Sequence, residues 1–109
     1  MKIMVNGGEN VKATEALGTS VSAYLEQTLA RFSHQITRVE VHMSDENADK
    51  GGQNDKRCTV EARVEGRPAF AVTERAGTMK QALNGAGEKL VRLLERDLGR
   101  LQGGPQGPA

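Results

Sequence analysis

Ile36-Thr37-Arg38-Val39-Glu40-Val41-His42-Met43-Ser44 and Lys56-Arg57-Cys58-Thr59-Val60-Glu61-Ala62-Arg63-Val64-Glu65 carry the alternation that decides the fold. In the first stretch Val39, Val41 and Met43 alternate with Arg38, Glu40 and His42. In the second, Cys58, Val60, Ala62 and Val64 alternate with Arg57, Thr59, Glu61 and Arg63. A period of two is that of a strand with one dry and one wet face. The interval between them, Ser44 to Asp55, is polar with Gly51-Gly52 near its middle, and predicts a long mobile hairpin connection rather than a tight turn. Downstream, Glu65-Gly66-Arg67-Pro68 turns the chain into a shorter strand over 69–73, with Pro68 where a missing amide costs least.

Upstream, Lys2 to Asn6 sets Ile3 and Val5 against Lys2 and Met4, a further strand, and Gly7-Gly8-Glu9-Asn10 reads as a turn. From Thr14 the period changes. Leu17, Val21, Tyr24, Leu25, Thr28, Leu29 and Phe32 recur at spacings of three and four, which predicts a helix over about 14–33 with Thr14 as N-cap. A second helix is predicted over about 77–101, with Met79, Leu83, Ala86, Leu90, Leu93, Leu94 and Leu101 along one side. Its early part is weakened by Asn84, Gly85 and Gly87, so either fraying or close packing against the sheet is expected there. The stretch 102–109 is rich in Gly and Pro without apolar period and is expected to be a disordered tail after a single domain over 1–101.

The order is thus β-α-β-β-β-α. One apolar sheet face and two amphipathic helices are satisfied by an α+β two-layer sandwich: a four-stranded sheet with both helices on one face. The other face then shows Arg38, Glu40, His42, Arg57, Glu61 and Arg63 to water, where mixed signs suggest cross-strand pairing.

At 109 residues only one core can be built. The composition, 37% hydrophobic and 27% charged, is that of a water-soluble chain, and no apolar run approaches the roughly 20 residues a bilayer span needs. Aromatic residues make up 3% and Trp is absent, which argues against an aromatic cage or a platform for stacking several bases. A single cysteine and no signal-peptide pattern lead us to expect a reducing, cytoplasmic address. The net charge of +1 conceals a split: residues 1–55 hold five basic and eight acidic side chains, residues 56–109 ten and six.

Catalytic chemistry finds little footing. His34 falls at a helix end and His42 on a wet strand face, neither at metal-ligand spacing from Cys, Asp or Glu, so no metal, cofactor or small-molecule substrate is expected. Cys58 points toward the core with Val60, as a small hydrophobe rather than a nucleophile. Asp45-Glu46-Asn47-Ala48-Asp49 fails as a calcium loop, since the required glycine and bidentate glutamate fall at Lys50 and Lys56. The basic residues are more informative. Lys89, Arg92, Arg96 and Arg100 recur at three, four and four along one flank of the last helix, with Arg75 and Lys80 toward its start. Such a row is either a solvated helix face, with Glu88 and Arg92 an i,i+4 pair, or a set of phosphate contacts that would be sequence-independent and salt-sensitive.

The opening strand followed by Asn10-Val11-Lys12-Ala13-Thr14-Glu15-Ala16-Leu17, the strand Val39-Glu40-Val41, and Met79-Lys80-Gln81-Ala82-Leu83-Asn84 leading to Glu88-Lys89-Leu90-Val91-Arg92-Leu93-Leu94 carry a resemblance. Over residues 1 to about 101 the chain resembles the short form of the ribosome hibernation-promoting factor family, also called the ribosome-associated inhibitor or sigma-54 modulation protein family. The resemblance implies a domain similar to a double-stranded RNA-binding domain, seated on the small ribosomal subunit in the mRNA and tRNA channel and silencing translation in stationary or stressed cells. It implies no enzymatic step. Contacts to ribosomal RNA carry over best to Lys89 and Arg92, with Arg96 and Arg100 following by helical phase. The chain departs from the family where a lysine-rich helix end is replaced by Glu95-Arg96-Asp97-Leu98-Gly99-Arg100, where an aromatic residue is replaced by Lys80 and where an aspartate is replaced by Asn84. The rival reading, from another class, is a protein-interaction or weak self-association module on the same fold, without RNA.

Overall fold

The computed structural model describes residues 1–8, 10–46 and 55–99. The elements in chain order are β1 (Lys2–Gly7), α1 (Glu15–Thr28), β2 (Ile36–Asp45), β3 (Lys56–Val64), β4 (Phe70–Ala76) and α2 (Met79–Leu94). A short 3-10 turn, Ala30–Phe32, follows α1, and a wide π turn, Glu95–Gly99, follows α2. The sheet order is β1-β2-β3-β4, with β1 parallel to β2 and the other neighbours antiparallel. A parallel neighbour needs a crossover, and α1 supplies it.

The expected α+β two-layer sandwich is what forms. Partners in register share a sheet face, so Val39↔Ala62 and Val41↔Val60 place one apolar set together on the inner side. Val39, Val41, Cys58, Val60 and Ala62 are fully buried there beneath Val21, Leu25 and Leu29 of the first helical segment and Ala82, Ala86, Leu90 and Leu94 of α2. The first helix packs over β1, the second over β3 and β4. Both start on a threonine. Thr14 Oγ1 accepts from Leu17 N–H, as the sequence led us to expect, and Thr78 Oγ1 accepts from Gln81 N–H, each at 3.1 Å.

Three expectations are corrected in detail. The α-helical part of the first helix stops at Thr28, and the tighter turn Ala30–Phe32 then carries Phe32 into the core. The second helix is α-helical only to Leu94, and its π turn brings Leu98 into the core, a residue the 3.6-residue stripe leaves out; Leu101 lies outside the described residues. The outer-face charges pair across strands where Glu46, just past β2, reaches Arg57 of β3 and Arg75 of β4, but along strands at Arg38 and Arg63. The register sets Arg38 opposite Arg63 and Glu40 opposite Glu61, so Arg38 bonds Glu40 on its own strand, and Arg63 lies 3.6 Å from Glu61 on its own.

Between fraying and close packing at Asn84–Gly87, packing prevails. A methyl group at Gly87 would run into the Tyr24 hydroxyl and come within 3.0 Å of its ring, and one at Gly85 would lie 2.6 Å from Cγ of Glu74. The Tyr24 hydroxyl also donates to the Asn84 carbonyl at 3.3 Å, which joins the two helices. The hairpin between β2 and β3 is closed at its base by the amide of Glu46 donating to the Asp55 carbonyl at 2.9 Å, while 47–54 and the tail lie outside the described residues.

Candidate nucleic-acid interface

The antiparallel pairings and the crossover bring β1, β2 and β4 to start, and β3 to finish, at one end of the sheet. Both helices run back toward that end. Arg31, just beyond α1, bonds Glu95, just beyond α2, at 2.7 Å, and its guanidinium lies 5.0 Å from the centroid of the Phe32 ring. Lys2, Arg31, Arg38, Arg63, Arg67, Arg92 and Arg96 therefore gather at the same end of the molecule, although they come from seven separate segments. Lys2, Arg38 and Arg63 sit side by side on three adjacent strands. Arg67 occupies the β3–β4 turn, where Gly66 takes a φ of +81° and the Arg67 amide returns to the Val64 carbonyl. The interleaved carboxylates are Glu40, Glu61, Glu65, Glu95 and Asp97.

The row read from the sequence is divided among different places. Lys89 leans to the outer edge of β4, where its ammonium bonds Glu74 at 2.7 Å and donates to the Thr73 carbonyl at 3.1 Å. Arg92 is exposed and makes no ion pair among the described residues; the expected bond from Glu88 does not form. An i,i+4 pair is worth only a few tenths of a kcal/mol, too little to pin a solvated arginine. Arg96 lies in the π turn, its Nε 3.6 Å from Asp97. Lys80 is on the other side of α2, at the rim of a groove lined by Leu17, Tyr24, Met79 and Leu83. Arg75 belongs to β4, not to the helix start, and bonds Glu46 on the outer sheet face. Arg100 lies outside the described residues.

Thus Arg92 and Arg96 remain together, Lys89 is engaged nearby, and Lys80 and Arg75 are elsewhere. The sequence reading missed Lys2, Arg31, Arg38, Arg63 and Arg67 as companions of Arg92. Each was visible as a charge on a wet face or turn. What joins them is the direction in which each element runs, and that becomes explicit only with the strand order.

Among the described residues two groups have perturbed protonation. Lys56 is held above its ordinary value mainly by its hydrogen bond to the Asp55 carboxylate at 2.9 Å, with Asp45 3.4 Å away. Burial pushes the Cys58 thiol up to about 12, so it carries no thiolate near neutral pH. Among the described residues no three His, Cys, Asp or Glu side chains are grouped so as to hold a metal, and no helix is long and apolar enough to cross a membrane.

Comparison with known proteins bears on the fold and the family. A ribosomal subunit interface protein from Coxiella burnetii superposes with a TM-score of 0.68 at 16% identity, covering 88% of this chain and 96% of that one. The Protein Y N-terminal domain from Thermus thermophilus gives 0.63 at 22% identity, covering 88% and 98%. At these identities the likeness is one of fold. Among curated proteins there is no match. The model of the family described as Sigma 54 modulation protein / S30EA ribosomal protein matches residues 5–102, from within β1 to beyond the π turn, and the chain belongs to that family.

Proposed function

We propose that the protein binds the small ribosomal subunit through ribosomal RNA, using the cationic end at which α2 finishes, and silences translation by occupying the mRNA and tRNA channel. Family membership and the shared fold support the ribosomal setting. Arg92 is the observation that carries the RNA contact: a guanidinium exposed at that end, with no ion pair among the described residues, beside Arg96 and Arg31. A free guanidinium can grip a phosphate without first giving up a carboxylate. Its neighbours must exchange Glu95 or Asp97 for phosphate, so attraction is modest and sensitive to salt. The action is by occupancy of a cytoplasmic target, and no bond is made or broken.

Cosedimentation with small subunits over a salt series tests this. Arg92→Gln weakens binding and lowers the slope of log affinity against log salt by about one, the signature of a lost phosphate contact. Reversal of both Arg92 and Arg96 to Glu abolishes cosedimentation with the fold retained. Undiminished binding of that double variant overturns the proposal. Reversal at Lys89 is unsuitable, because it would set a carboxylate against Glu74. A second reading, a protein partner or second copy on the outer sheet face, is favoured by the internal pairing of Arg38 with Glu40 and Arg63 with Glu61, which leaves that face nearly neutral. It predicts binding that hardly changes with salt.

A further inference from the structure

Arg57 and Arg75 are register partners on β3 and β4, and both point to the outer face. Their side chains are 43% and 49% exposed, so the guanidiniums reach water. Two like charges directly opposite each other on an antiparallel pair destabilise it unless an anion lies between them. In this molecule Glu46 is that anion. Its Oε1 accepts from Nη1 of Arg75, and its Oε2 lies 3.5 Å from Nη1 of Arg57, so one carboxylate spans both cations. A shallow concavity lined by His42, Ser44 and Thr59 adjoins Glu46 and Arg57. The Thr59 hydroxyl is 2.9 Å from that of Thr73. Each guanidinium reaches a different oxygen of the one carboxylate through its Nη1, and a phosphodiester's two free oxygens can take the same two places.

We propose that Arg57 and Arg75 form a phosphate-binding site on the open sheet face, filled by Glu46 in the free protein and yielded to an RNA phosphodiester on docking. The choice of RNA as the source of the phosphate rests on the ribosomal reading above. The site itself rests on the register of the two arginines and on the bridging carboxylate. It lies at the opposite end of the sheet from Arg92, so it is a second contact and not an extension of the first. Of the two arginines only Arg75 stood out in the sequence, as a helix-flank residue. Its partner and its occupant become visible only with the sheet register.

The test uses the full chain. Glu46→Gln removes the internal anion at nearly the same size, and its amide nitrogen, a donor, can no longer accept from the second arginine. It is expected to tighten binding to small subunits by roughly threefold to tenfold and to steepen the salt dependence by about one. Adding Arg57→Gln or Arg75→Gln to Glu46→Gln removes that gain. Unchanged or weaker binding by a Glu46→Gln protein of unaltered melting temperature overturns the site, as does a gain that survives loss of both arginines. Should neither the natural chain nor Glu46→Gln bind subunits, the ribosomal reading fails, and a direct titration decides the site on its own. In that titration the arginine Nε–Hε resonances of Glu46→Gln are followed on adding a short uridine oligonucleotide or inorganic phosphate. Shifts of Arg57 and Arg75 with the oligonucleotide support the site. Shifts with inorganic phosphate alone overturn RNA as the ligand, and no shift with either overturns the site.

Discussion

At Gly87 the helix gives up a methyl group to let the Tyr24 ring approach, and the same residue shows where sequence reasoning stops. Glycine in a helix interior costs about 1 kcal/mol relative to alanine, so on propensity alone Gly87→Ala would stabilise. The methyl group would instead meet the Tyr24 ring and hydroxyl. The expected outcome is a net loss of about 1–3 kcal/mol, the range for overpacking, measured by urea denaturation. The loss shrinks in a Tyr24→Phe background, where the hydroxyl is gone. A stabilised Gly87→Ala protein would show that the ring moves aside freely. The weakness of this stretch was legible, but its remedy was not, because Tyr24 is 60 residues away from Asn84 in the chain. The same holds at Arg92, whose neighbour Glu88 was placed correctly by spacing yet leaves it unbound.

Among elements, the strands were the most legible, since a period of two assigns each side chain to a face regardless of its partner. Registers were not. Charge complementarity favoured cross-strand pairs, but the inner face decides the alignment: Val39↔Ala62 and Val41↔Val60 bury apolar area, and the outer charges accept whatever neighbours result. The end of α2 shows a similar limit. The π turn at Glu95–Gly99 widens the helix end and turns Leu98 into the core, leaving it 3% exposed. Leu98→Ala is therefore expected to cost about 2–4 kcal/mol and Leu93→Ala, half-buried, clearly less, by thermal or urea melts of the two variants. Equal costs would mean that the wide turn does not set the phase of the helix end.

At the scale of the whole molecule, the alkaline limb of stability follows from the two perturbed groups. Unfolded, the Cys58 thiol titrates near 9.0; folded, it holds its proton to about 12. Between those values the unfolded chain binds fewer protons than the folded one, so stability is intact below about pH 9 and declines as pH rises. Lys56, raised by Asp55, acts in the same direction above its ordinary 10.5. Urea midpoints of the natural chain should fall from about pH 9 upward, and less steeply in Cys58→Ala; parallel curves would deny the thiol a part. Charge placement was legible only locally, and its collection at one end required the chain directions of all six elements. Lys89, outside that collection, has a further duty. β4 is an outermost strand, and the Lys89 ammonium covers the Thr73 carbonyl that would otherwise stand open along its rim. An uncovered rim is a template on which another chain can add by backbone bonding, so this contact blunts that edge. A ligand strong enough to draw the lysine away would have to shield that rim itself.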